Sequence, residues 1–384
     1  MAPQVRPGTD RVTPDRIVIV ADDLTGACDS GVAFLASGRS VRVVLDPTSF
    51  DTDIKGNAKA VGRADVVAFT TETRNLTEQQ ASARVADYTT ALTFAQHQSL
   101  IFKKIDSAAR GHFGAETVAA LEASGAALAL VTPAFPQAER TVHSGILSVR
   151  DCSGQDTRIS LRDQFPAVDP AQIDVLHASP GANLQLGLDR AIANGVRILL
   201  CDADTQEDLE RLADAGSQLR QRILWAGSAG LARALAKALP AQRSDTGHPA
   251  IQREGRILLF SGTPHPVTSL QLSYLREHSA SLALTISLID QESPSKREIH
   301  AAFDEEPVAA LILTGGDTAY FVLRSLDASS IVLAGEIAPG IPWGFVEGGA
   351  ADGCVVVTKS GGFGSRDALV EACEFCDRRA YEPA

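Results

Sequence analysis

The residues best suited to chemistry in this sequence lie in the stretch KKIDSAARGHFGAE, which begins at Lys103. Its first eight residues include two lysines, an aspartate, a serine and an arginine. The preceding LIF makes this a strand pattern, in which Lys104 and Asp106 share one face and Lys103 lies on the other. Ser107 and Arg110 then fall in the turn before a helix. We expect Lys104, Ser107 and Arg110 to hold a carboxylate or phosphate and Asp106 to bind a hydroxyl group. The alternative is a solvated cluster of salt bridges.

The overall charge makes this basic cluster more informative. The chain has 384 residues, 45% of them hydrophobic, and a formal net charge of −12. Such an acidic chain is unsuited to nucleic acid or an anionic membrane as its main partner, so an anionic ligand needs a local group of basic side chains.

No apolar run approaches the ~18–20 residues of a membrane span. Six scattered cysteines are typical of a reducing cytoplasm, where we expect this protein. Cys373 and Cys376 form a CxxC on one face of a predicted helix, which favours a packing role over a metal or redox site.

The elements that would position these residues are short apolar strand patterns alternating with helix patterns. This alternation predicts an α/β fold whose sheets are largely parallel and flanked by helices. In such sheets the ligand site lies beyond the carboxyl ends of the strands. Six polar residues lie at predicted strand ends, namely Asp22, Asp23, Thr71, Arg74, Lys104 and Asp106.

Three of these strand-end residues have specific interpretations. Asp22 and Asp23 fit a base or a hydroxyl-orienting group, with a part in binding Mg²⁺ also open; the alternative is a cap for the next helix. Arg74 fits the two-point grip of a planar guanidinium on a carboxylate, and the alternative is an ordinary surface arginine. The predicted ligand of this region is a small polyhydroxylated acid.

The length of the chain predicts two domains. We expect a disordered tail at 1–15, an acid-binding domain at 16–240, a linker at 241–255 and a nucleotide-binding domain at 256–384. The linker is placed where proline, glycine and polar residues accumulate. Each domain should contain a largely parallel sheet, and the ligand cleft should lie between the two domains.

The second predicted domain repeats one pattern three times, a strand that enters a glycine-rich turn and then a helix. Glycine lets backbone N–H groups crowd around an anion, and the positive end of the next helix is directed there. One such turn is weak evidence, but three indicate a site for nucleotide phosphates. The residues of these turns are Ser261, Gly262, Thr314, Gly315, Gly316, Asp317, Gly361, Gly362 and Gly364.

The motifs that are missing from these turns limit which nucleotide could bind. No GxxxxGK[ST] motif occurs, which excludes an ordinary P-loop. The stretch GGFGSR lacks the last glycine of a dinucleotide fingerprint, and too few residues follow it for the further strand that the fingerprint needs. Hydride transfer is therefore disfavoured. Phosphoryl transfer from ATP, with Mg²⁺ bridging the phosphates, fits better.

Taken in order, nine stretches resemble the motifs of the four-carbon acid sugar kinases. They are ADDLTGA, TETRN, KKIDSAARGHFGAE, PAFPQAERTVHSG, GSAGLA, SGTPHPVT, TGGDTA, GEIAPGIP and TKSGGFG, spread from residue 17 to about residue 370. Each is weak alone, whereas the ordered set is specific. The resemblance implies a two-domain α/β kinase that uses ATP to phosphorylate the terminal hydroxyl of a four-carbon sugar acid.

The resemblance also assigns residues to the two ligands. By motif, the acid would contact Asp22, Arg74, Lys104, Ile105, Asp106 and Ser107. By motif, ATP would contact Ser261, Gly315, Gly316, Asp317, Gly340, Gly361, Gly362, Phe363 and Gly364. The form KKIDSAARGH is more similar to the threonate and erythronate kinases than to the 3-oxo-tetronate kinases. Glu139 stands where the motif PAFPxxGR has glycine, so the conformation of that loop and the role of Arg140 are open.

We therefore expect a kinase for D-threonate or D-erythronate that uses ATP and Mg²⁺. Arg74, Lys104 and Ser107 would fix the carboxylate of the acid, and Asp22 or Asp23 would orient or deprotonate the far hydroxyl. The alternatives are a 3-oxo-tetronate 4-kinase, an NAD(P)-dependent sugar-acid oxidoreductase and a non-catalytic sugar-acid sensor. The sequence leaves open the stereoisomer, the metal ligands and the oligomeric state, including a homodimer.

Overall fold

The computed structural model describes residue 14 and residues 16–45, 64–95, 99–150, 154–178, 180–242, 255–278, 286–290 and 295–381. The predicted tail and most of the predicted linker lie outside these residues, so the domain boundaries stay a prediction. Residues 16–242 are called the N-terminal half below, and residues 255–381 the C-terminal half.

The described residues form seventeen strands and ten α-helices. The helices are α1 (Leu24–Val32), α2 (Glu78–Ala95), α3 (Phe113–Ser124), α4 (Leu184–Ala193), α5 (Gln206–Gly216), α6 (Ala229–Ala238), α7 (Pro266–His278), α8 (Lys296–Asp304), α9 (Gly316–Ser325) and α10 (Ala368–Tyr381). The strands of the N-terminal half are β1 (Ile17–Ala21), β2 (Val41–Val44), β3 (Val66–Thr70), β4 (Leu100–Lys104), β5 (Leu128–Thr132), β6 (Arg140–His143), β7 (Ile146–Arg150), β8 (Asp156–Ser160), β9 (Ile173–His177), β10 (Ile198–Asp202) and β11 (Ile223–Gly227). The strands of the C-terminal half are β12 (Arg256–Ser261), β13 (Ile286–Asp290), β14 (Val308–Thr314), β15 (Ser330–Ala338), β16 (Ile341–Glu347) and β17 (Val355–Lys359).

The predicted α/β fold with a mostly parallel sheet flanked by helices is confirmed. Eight parallel strands of the N-terminal half lie in the order β2-β3-β1-β4-β11-β5-β10-β9. In the C-terminal half β13-β12-β14-β17 are parallel, followed by the antiparallel strands β16 and β15. Strands buried on both faces read as apolar runs, which is why β1 is IVIVA and β3 is VVAFT.

The two halves share one sheet and the larger of two core clusters, which the sequence did not predict. Strand β2 pairs antiparallel with β15, so all fourteen strands are continuous. One cluster of buried residues includes Ile19 and Phe102 together with Phe260 and Leu333. Helix α1 lies at this junction with eight of its nine residues buried. A Cβ on its Gly31 would approach a side chain of each half to 3.0–3.1 Å, so the two halves pack closely against the helix there.

Each half contains a point at which the chain switches direction across the sheet. Strand β1 lies between β3 and β4, and the chain visits β2 and β3 on one side before it crosses to β4 on the other. Strand β12 lies between β13 and β14 in the same way. Ligands of open α/β sheets bind beyond the carboxyl ends of the strands at such points. The stretches that follow β1 and β4, and those that follow β12 and β14, contain most of the predicted site residues.

Residues that follow the carboxyl ends of both sets of strands line the same cleft. Three antiparallel pairings separate β2 from β17, so the parallel strands of the two halves run in opposite directions along the sheet order. The β15–β16 ladder has register irregularities between Leu333 and Gly335 and between Glu336 and Ala338. Irregularities of this kind bend and twist a strand pair. The join therefore has the local structure that a bend needs.

A small antiparallel sheet, β6-β7-β8, stands beside the carboxyl end of the larger one. Its first strand follows a single 3₁₀ turn at Pro136–Ala138 and then Glu139, whose φ is 57°. This left-handed conformation is the one that glycine adopts most readily, so the loop has glycine-like geometry although glutamate occupies it. The conformation costs an L-residue about 1–2 kcal/mol.

Candidate active site

A cleft of about 1030 Å³ lies between the two halves. Its walls include Arg74, Ser107 and Arg110 from the N-terminal half and Gly262, Gly316 and Gly361 from the C-terminal half. A smaller pocket adjoins it and is lined by Asp23, Asp29, Lys104, Asp106, Ser228 and Phe363. Asp23, Arg74, Ser107 and Phe363 line both, so the two cavities are parts of one site.

Most of the predicted site residues converge on this cleft, and five do not reach it. The predicted residues that line one or both cavities are Asp23, Arg74, Lys104, Asp106, Ser107, Arg110, Gly262, Gly315, Gly316, Asp317, Gly361, Gly362, Phe363 and Gly364. The predicted residues that line neither are Asp22, Ile105, Ser261, Thr314 and Gly340. Ile105 belongs to the core, and Ser261 and Thr314 are buried as the last residues of their strands.

Arg74 forms ion pairs with two carboxylates of the protein itself. Its Nε and Nη2 lie 2.9 and 2.7 Å from Oδ2 of Asp22, and its Nη1 lies 3.0 Å from Oδ2 of Asp23. Burial works to lower the pKa of Arg74, but Asp23, Asp22 and Asp106 outweigh it and raise that pKa above its usual value. Oδ1 of Asp22 is buried and has no hydrogen-bond partner. Arg74 is therefore held by two carboxylates of the protein, and its expected contact with the carboxylate of a ligand stays a prediction.

Asp23 caps a helix and also lines the cleft, so the capping interpretation is confirmed for this residue while its role as a base or hydroxyl-orienting group stays a prediction. Its Oδ1 accepts a hydrogen bond of 2.9 Å from the backbone N–H of Gly26, which caps α1. Its Oδ2 accepts a hydrogen bond of 2.7 Å from the hydroxyl of Thr25. Asp22 instead lies behind Arg74, away from both cavities. Asp23 is therefore the aspartate of the pair that lines the cavities.

Carboxylates balance the positive charge of the basic cluster in the stretch that begins at Lys103. Asp106 accepts two side-chain hydrogen bonds from Arg110, at 2.7 and 3.0 Å. Burial favours a higher pKa for Asp106, but the hydrogen bond and charge of Arg110, with Arg74 and Lys104, hold that pKa well below its usual value. Lys104 donates to the carbonyl of Ile105 at 2.9 Å. The expected local excess of positive charge is thus largely cancelled by Asp22, Asp23 and Asp106.

Lys103 confirms the predicted alternation of faces. Its ammonium group lies 2.7 Å from the carboxylate of Glu116 on α3, and both side chains are buried on the side of β4 away from the pocket. Removing one partner of such a buried ion pair strongly destabilises a fold, because the other charge stays buried without a partner. Lys103 is therefore a structural residue.

The side of the cleft that the C-terminal half forms contains helix starts and a glycine loop. Gly315 has a φ of 94° and precedes α9, whose first residues line the cleft. Residues at the starts of α1, α6 and α7 also line the two cavities, and N–H groups at such starts favour anions. A Cβ on Gly361 would lie 2.6 Å from Oγ1 of Thr263, so the loop needs glycine there.

A buried lysine organises the glycine loop from beneath. Lys359 Nζ donates to Oγ1 of Thr268 at 3.1 Å and to the carbonyls of Ser360, Gly361 and Phe363 at 3.1–3.4 Å. Burial lowers the pKa of Lys359 to about 7. These bonds hold three loop carbonyls toward the interior of the C-terminal half.

The two ends of the site touch each other. A Cβ on Gly316, the first residue of α9, would lie only 2.4 Å from Oδ2 of Asp23. Asn75, next to Arg74, donates a 2.9 Å hydrogen bond to the carboxylate of Asp317. The carboxylate that follows β1 in the N-terminal half thus lies directly against the start of α9 in the C-terminal half.

Comparison with known proteins agrees with this arrangement. A sugar-binding N-terminal domain model matches residues 17–235, and a nucleotide-binding C-terminal domain model matches residues 297–369. A curated D-threonate kinase from Bordetella bronchiseptica is 33% identical over 95% of this chain and 98% of its own. The chain belongs to the four-carbon acid sugar kinase family.

Other members of the four-carbon acid sugar kinase family are more distant. A D-erythronate kinase from Heliobacterium modesticaldum is 25% identical, with 94% of this chain and 96% of its own covered. A 3-oxo-tetronate kinase from Brucella melitensis is 24% identical, with 93% and 95% covered. A solved structure of a putative tRNA synthase from Salmonella typhimurium is 21% identical, with a TM-score of 0.68 and 93% and 98% of the two chains covered. That likeness supports the fold alone.

Several residues that line the cleft were not predicted from the sequence. Asn75, Phe135 and His265 line the cleft, and each lies inside a stretch that had been singled out, respectively TETRN, PAFPQAER and SGTPHPVT. Asn75 and Phe135 approach residues of the C-terminal half, and His265 lies against the glycine loop. Such contacts depend on how the halves meet, which a linear motif does not specify.

The remaining motifs carry no sign of a metal site or a membrane segment. Cys373 and Cys376 are buried on α10, and burial raises the pKa of Cys373 to about 12. The packing role predicted for this CxxC therefore fits its surroundings. Among the residues with described placement, no group of three or more histidine, cysteine, aspartate or glutamate side chains could hold a metal ion. No helix in the same part of the chain has the length and apolar character needed to cross a membrane.

Proposed function

We propose that this protein transfers the γ-phosphoryl group of ATP to the terminal hydroxyl of a four-carbon sugar acid, with D-threonate as the first candidate. The observation that carries the proposal is the contact between Asp23, at the acid end, and Gly316, at the phosphate end. The relative named D-threonate kinase is 33% identical, against 25% and 24% for those named D-erythronate and 3-oxo-tetronate kinase. This order favours D-threonate.

The acid would bind where the smaller pocket opens into the cleft, because the smaller pocket alone, at about 20 Å³, has room for only about one water molecule. Lys104 and Ser107 line this pocket and can bind the carboxylate, together with the start of α6 at Ser228. Asp106 also lines it and can accept a hydrogen bond from a ligand hydroxyl. Arg74 would contribute mainly by fixing Asp23, because its guanidinium is already bound to the aspartates that follow β1. This polar lining suits the end of a small acid that carries several hydroxyl groups, and the rest of the acid would lie in the cleft.

The reacting hydroxyl would point from this pocket toward the start of α9. Its oxygen forms a bond to the γ-phosphorus as the bond between that phosphorus and the bridging oxygen of ADP breaks. The proton of the hydroxyl passes to the carboxylate of Asp23. Positioning and charge stabilisation supply most of the rate in reactions of this type, because little covalent work falls to the protein.

The phosphate end also fits the Mg²⁺ that the reaction implies. Magnesium is usually bound by one or two carboxylates, water and the phosphates of the substrate, and it neutralises charge on those phosphates. Asp317, in the first turn of α9, offers such a carboxylate and is oriented by the amide of Asn75. We propose Asp317 as the protein ligand that would hold Mg²⁺ when it enters with ATP.

A coupled assay of ADP release tests this proposal directly. The full-length protein is given ATP, Mg²⁺ and, in turn, D-threonate, L-threonate, D-erythronate and the 3-oxo-tetronates. We expect D-threonate to give the highest kcat/KM. A best substrate among the 3-oxo acids would favour the alternative 4-kinase. Binding of an acid without ADP release would favour a sensor, and reduction of NAD(P) by an acid would favour an oxidoreductase.

A further inference from the structure

Arg140 differs in charge balance from the other arginines at the bottom of the cleft. Arg74 and Arg110 each lie within 3 Å of a carboxylate oxygen. In the described part of the chain, no ion pair within 4.0 Å involves Arg140. Its Nη1 donates to the carbonyl of Ala138, and its Nε is buried with no hydrogen-bond partner. Arg140 therefore brings to the cleft a positive charge that no carboxylate of the described residues meets at ion-pair distance.

The position of this charge links the two halves. Arg140 belongs to the N-terminal half, yet its guanidinium carbon lies 5.7 Å from the ring centroid of Phe363, in the glycine loop of the C-terminal half. The Phe363 ring in turn packs at 5.9 Å from the ring of Phe135. A cation over an aromatic face is held in place without being neutralised. The guanidinium thus lies beside the loop proposed to hold phosphates.

The backbone holds Arg140 firmly in this place. Its N–H and carbonyl both bond to Phe135, at 3.2 and 2.8 Å, and in β6 it pairs with Val149 of β7. Glu139, with its left-handed backbone conformation, forms the tight turn that lets Arg140 make both of these hydrogen bonds to Phe135. A side chain supported in this way loses little further freedom when it binds a ligand.

A partly buried guanidinium without an ion-pair partner is energetically unfavourable until an anion arrives. Burial lowers the pKa of Arg140 and Arg110 contributes in the same direction, while the more distant charges of Asp106 and Glu139 act to raise it. An arginine nevertheless stays charged at neutral pH. Removal of a charge from water is offset only by a partner of opposite sign. Arg140 lines a cleft that also contains helix starts and a glycine loop, so an anion of a ligand is the partner that fits.

Resting on the proposed kinase function, we infer that Arg140 binds the phosphoryl group during its transfer. As the bond to ADP breaks and the bond to the acid hydroxyl forms, negative charge spreads over three equatorial oxygens. A planar guanidinium can donate to two such oxygens at once. The acid-binding half thereby supplies a cation to the phosphate donor held by the other half, and it does so only when the cleft is assembled around both ligands.

The test compares Arg140→Met and Arg140→Lys with Arg158→Met as a matched control. Arg158 lies on β8 in the same small sheet, is exposed and lines neither cavity. With D-threonate and ATP we expect Arg140→Met to lower kcat by about 10³-fold or more, because arginines that stabilise phosphoryl transfer contribute about 10³–10⁵-fold. Arg140→Lys should recover part of this loss, and Arg158→Met should stay within about twofold of the parent.

Two further measurements separate a role in transfer from a role in folding or ground-state binding. Calorimetry should give a dissociation constant for ATP within about fivefold of the parent for Arg140→Met, while binding of MgADP with tetrafluoroaluminate and the acid should weaken by more than about tenfold. Thermal unfolding should be unchanged within a few degrees.

Each outcome decides the inference. A normal kcat for Arg140→Met, or a loss fully explained by weaker ATP binding or by unfolding, would overturn it while leaving the kinase function intact. If the parent protein releases no ADP with any of the acids, the proposed function fails first and the inference fails with it. A loss in kcat and in binding of the tetrafluoroaluminate complex, with normal ATP binding, supports it.

Discussion

Replacing Asp23 by asparagine keeps the size of the side chain and removes its charge. Asparagine caps helices about as well as aspartate, so the bond to the N–H of Gly26 can survive the change. The bond from Arg74 weakens, because a charge-assisted hydrogen bond is worth about 1.5–3 kcal/mol and a neutral one about 1. We therefore expect the free energy of unfolding to fall by only about 1–2 kcal/mol.

The catalytic loss should be much larger than this. Transfer of a proton to a positioned base contributes about 10²–10⁴-fold to a rate. Asp23 lines both cavities and lies against the start of α9, whereas Asp22 lines neither. We expect Asp23→Asn to lower kcat by about that range and Asp22→Asn to lower it about tenfold or less. Both variants should lose similar stability, because both carboxylates hold Arg74.

The assay is steady-state ADP release with saturating D-threonate and ATP, with urea unfolding of each variant measured in parallel. The reasoning fails if Asp22→Asn loses more kcat than Asp23→Asn at equal stability. That result would make Asp22 the base and its unpaired Oδ1 the reacting atom. Equal and small losses in both variants would mean that neither carboxylate receives the proton.

Three other substitutions test separate parts of the structure. Arg74→Met should lower the free energy of unfolding by about 3–5 kcal/mol in urea titrations, because it leaves buried carboxylates without their partner; a change below about 1 kcal/mol would contradict this ion cluster. Glu139→Gly should raise that free energy by about 1 kcal/mol with kcat unchanged, because it relieves a left-handed conformation; equal urea midpoints would mean no strain. Burial raises the pKa of Glu72 from 4.5 to about 8, so the parent should lose stability relative to Glu72→Gln as pH rises through that interval; parallel curves of urea midpoint against pH would exclude the shift.

The sequence predicted what depends on local pattern. Strand periodicity separated Lys103, which pairs with Glu116 behind the sheet, from Lys104, which faces the pocket. Glycines at strand ends located the loop at Gly361–Gly364 and the start of α9. These inferences succeed because a strand alternates its faces and a parallel sheet gathers its carboxyl ends at one edge.

What the sequence could not predict depends on contacts between distant segments. The pairing of β2 with β15 joins stretches about 290 residues apart, and no local pattern specifies an edge-to-edge join. The same limit applies to charge. Lys104, Arg74 and Arg110 were recognised as basic, but their balance against three aspartates appears only when β1, β3 and β4 are adjacent. Arg140 could not be distinguished from a surface arginine until its distance from Phe363 was known.

This charge balance has a consequence for how the two ligands bind. The proposed acid end contains three cationic side chains and three carboxylates that balance them. They are Arg74, Lys104 and Arg110, and Asp22, Asp23 and Asp106. The acid would therefore meet a polar site with little net charge. The further negative charge of ATP and of the transferring phosphoryl group must then be met by the helix starts, by Mg²⁺ and by Arg140. Because Arg140 is carried by the acid-binding half and lies over the nucleotide loop, its attraction for phosphate also draws the halves together. Binding of the acid and of nucleotide should therefore be coupled, with each tightening the other, and Arg140→Met should reduce that coupling more than it reduces either affinity alone.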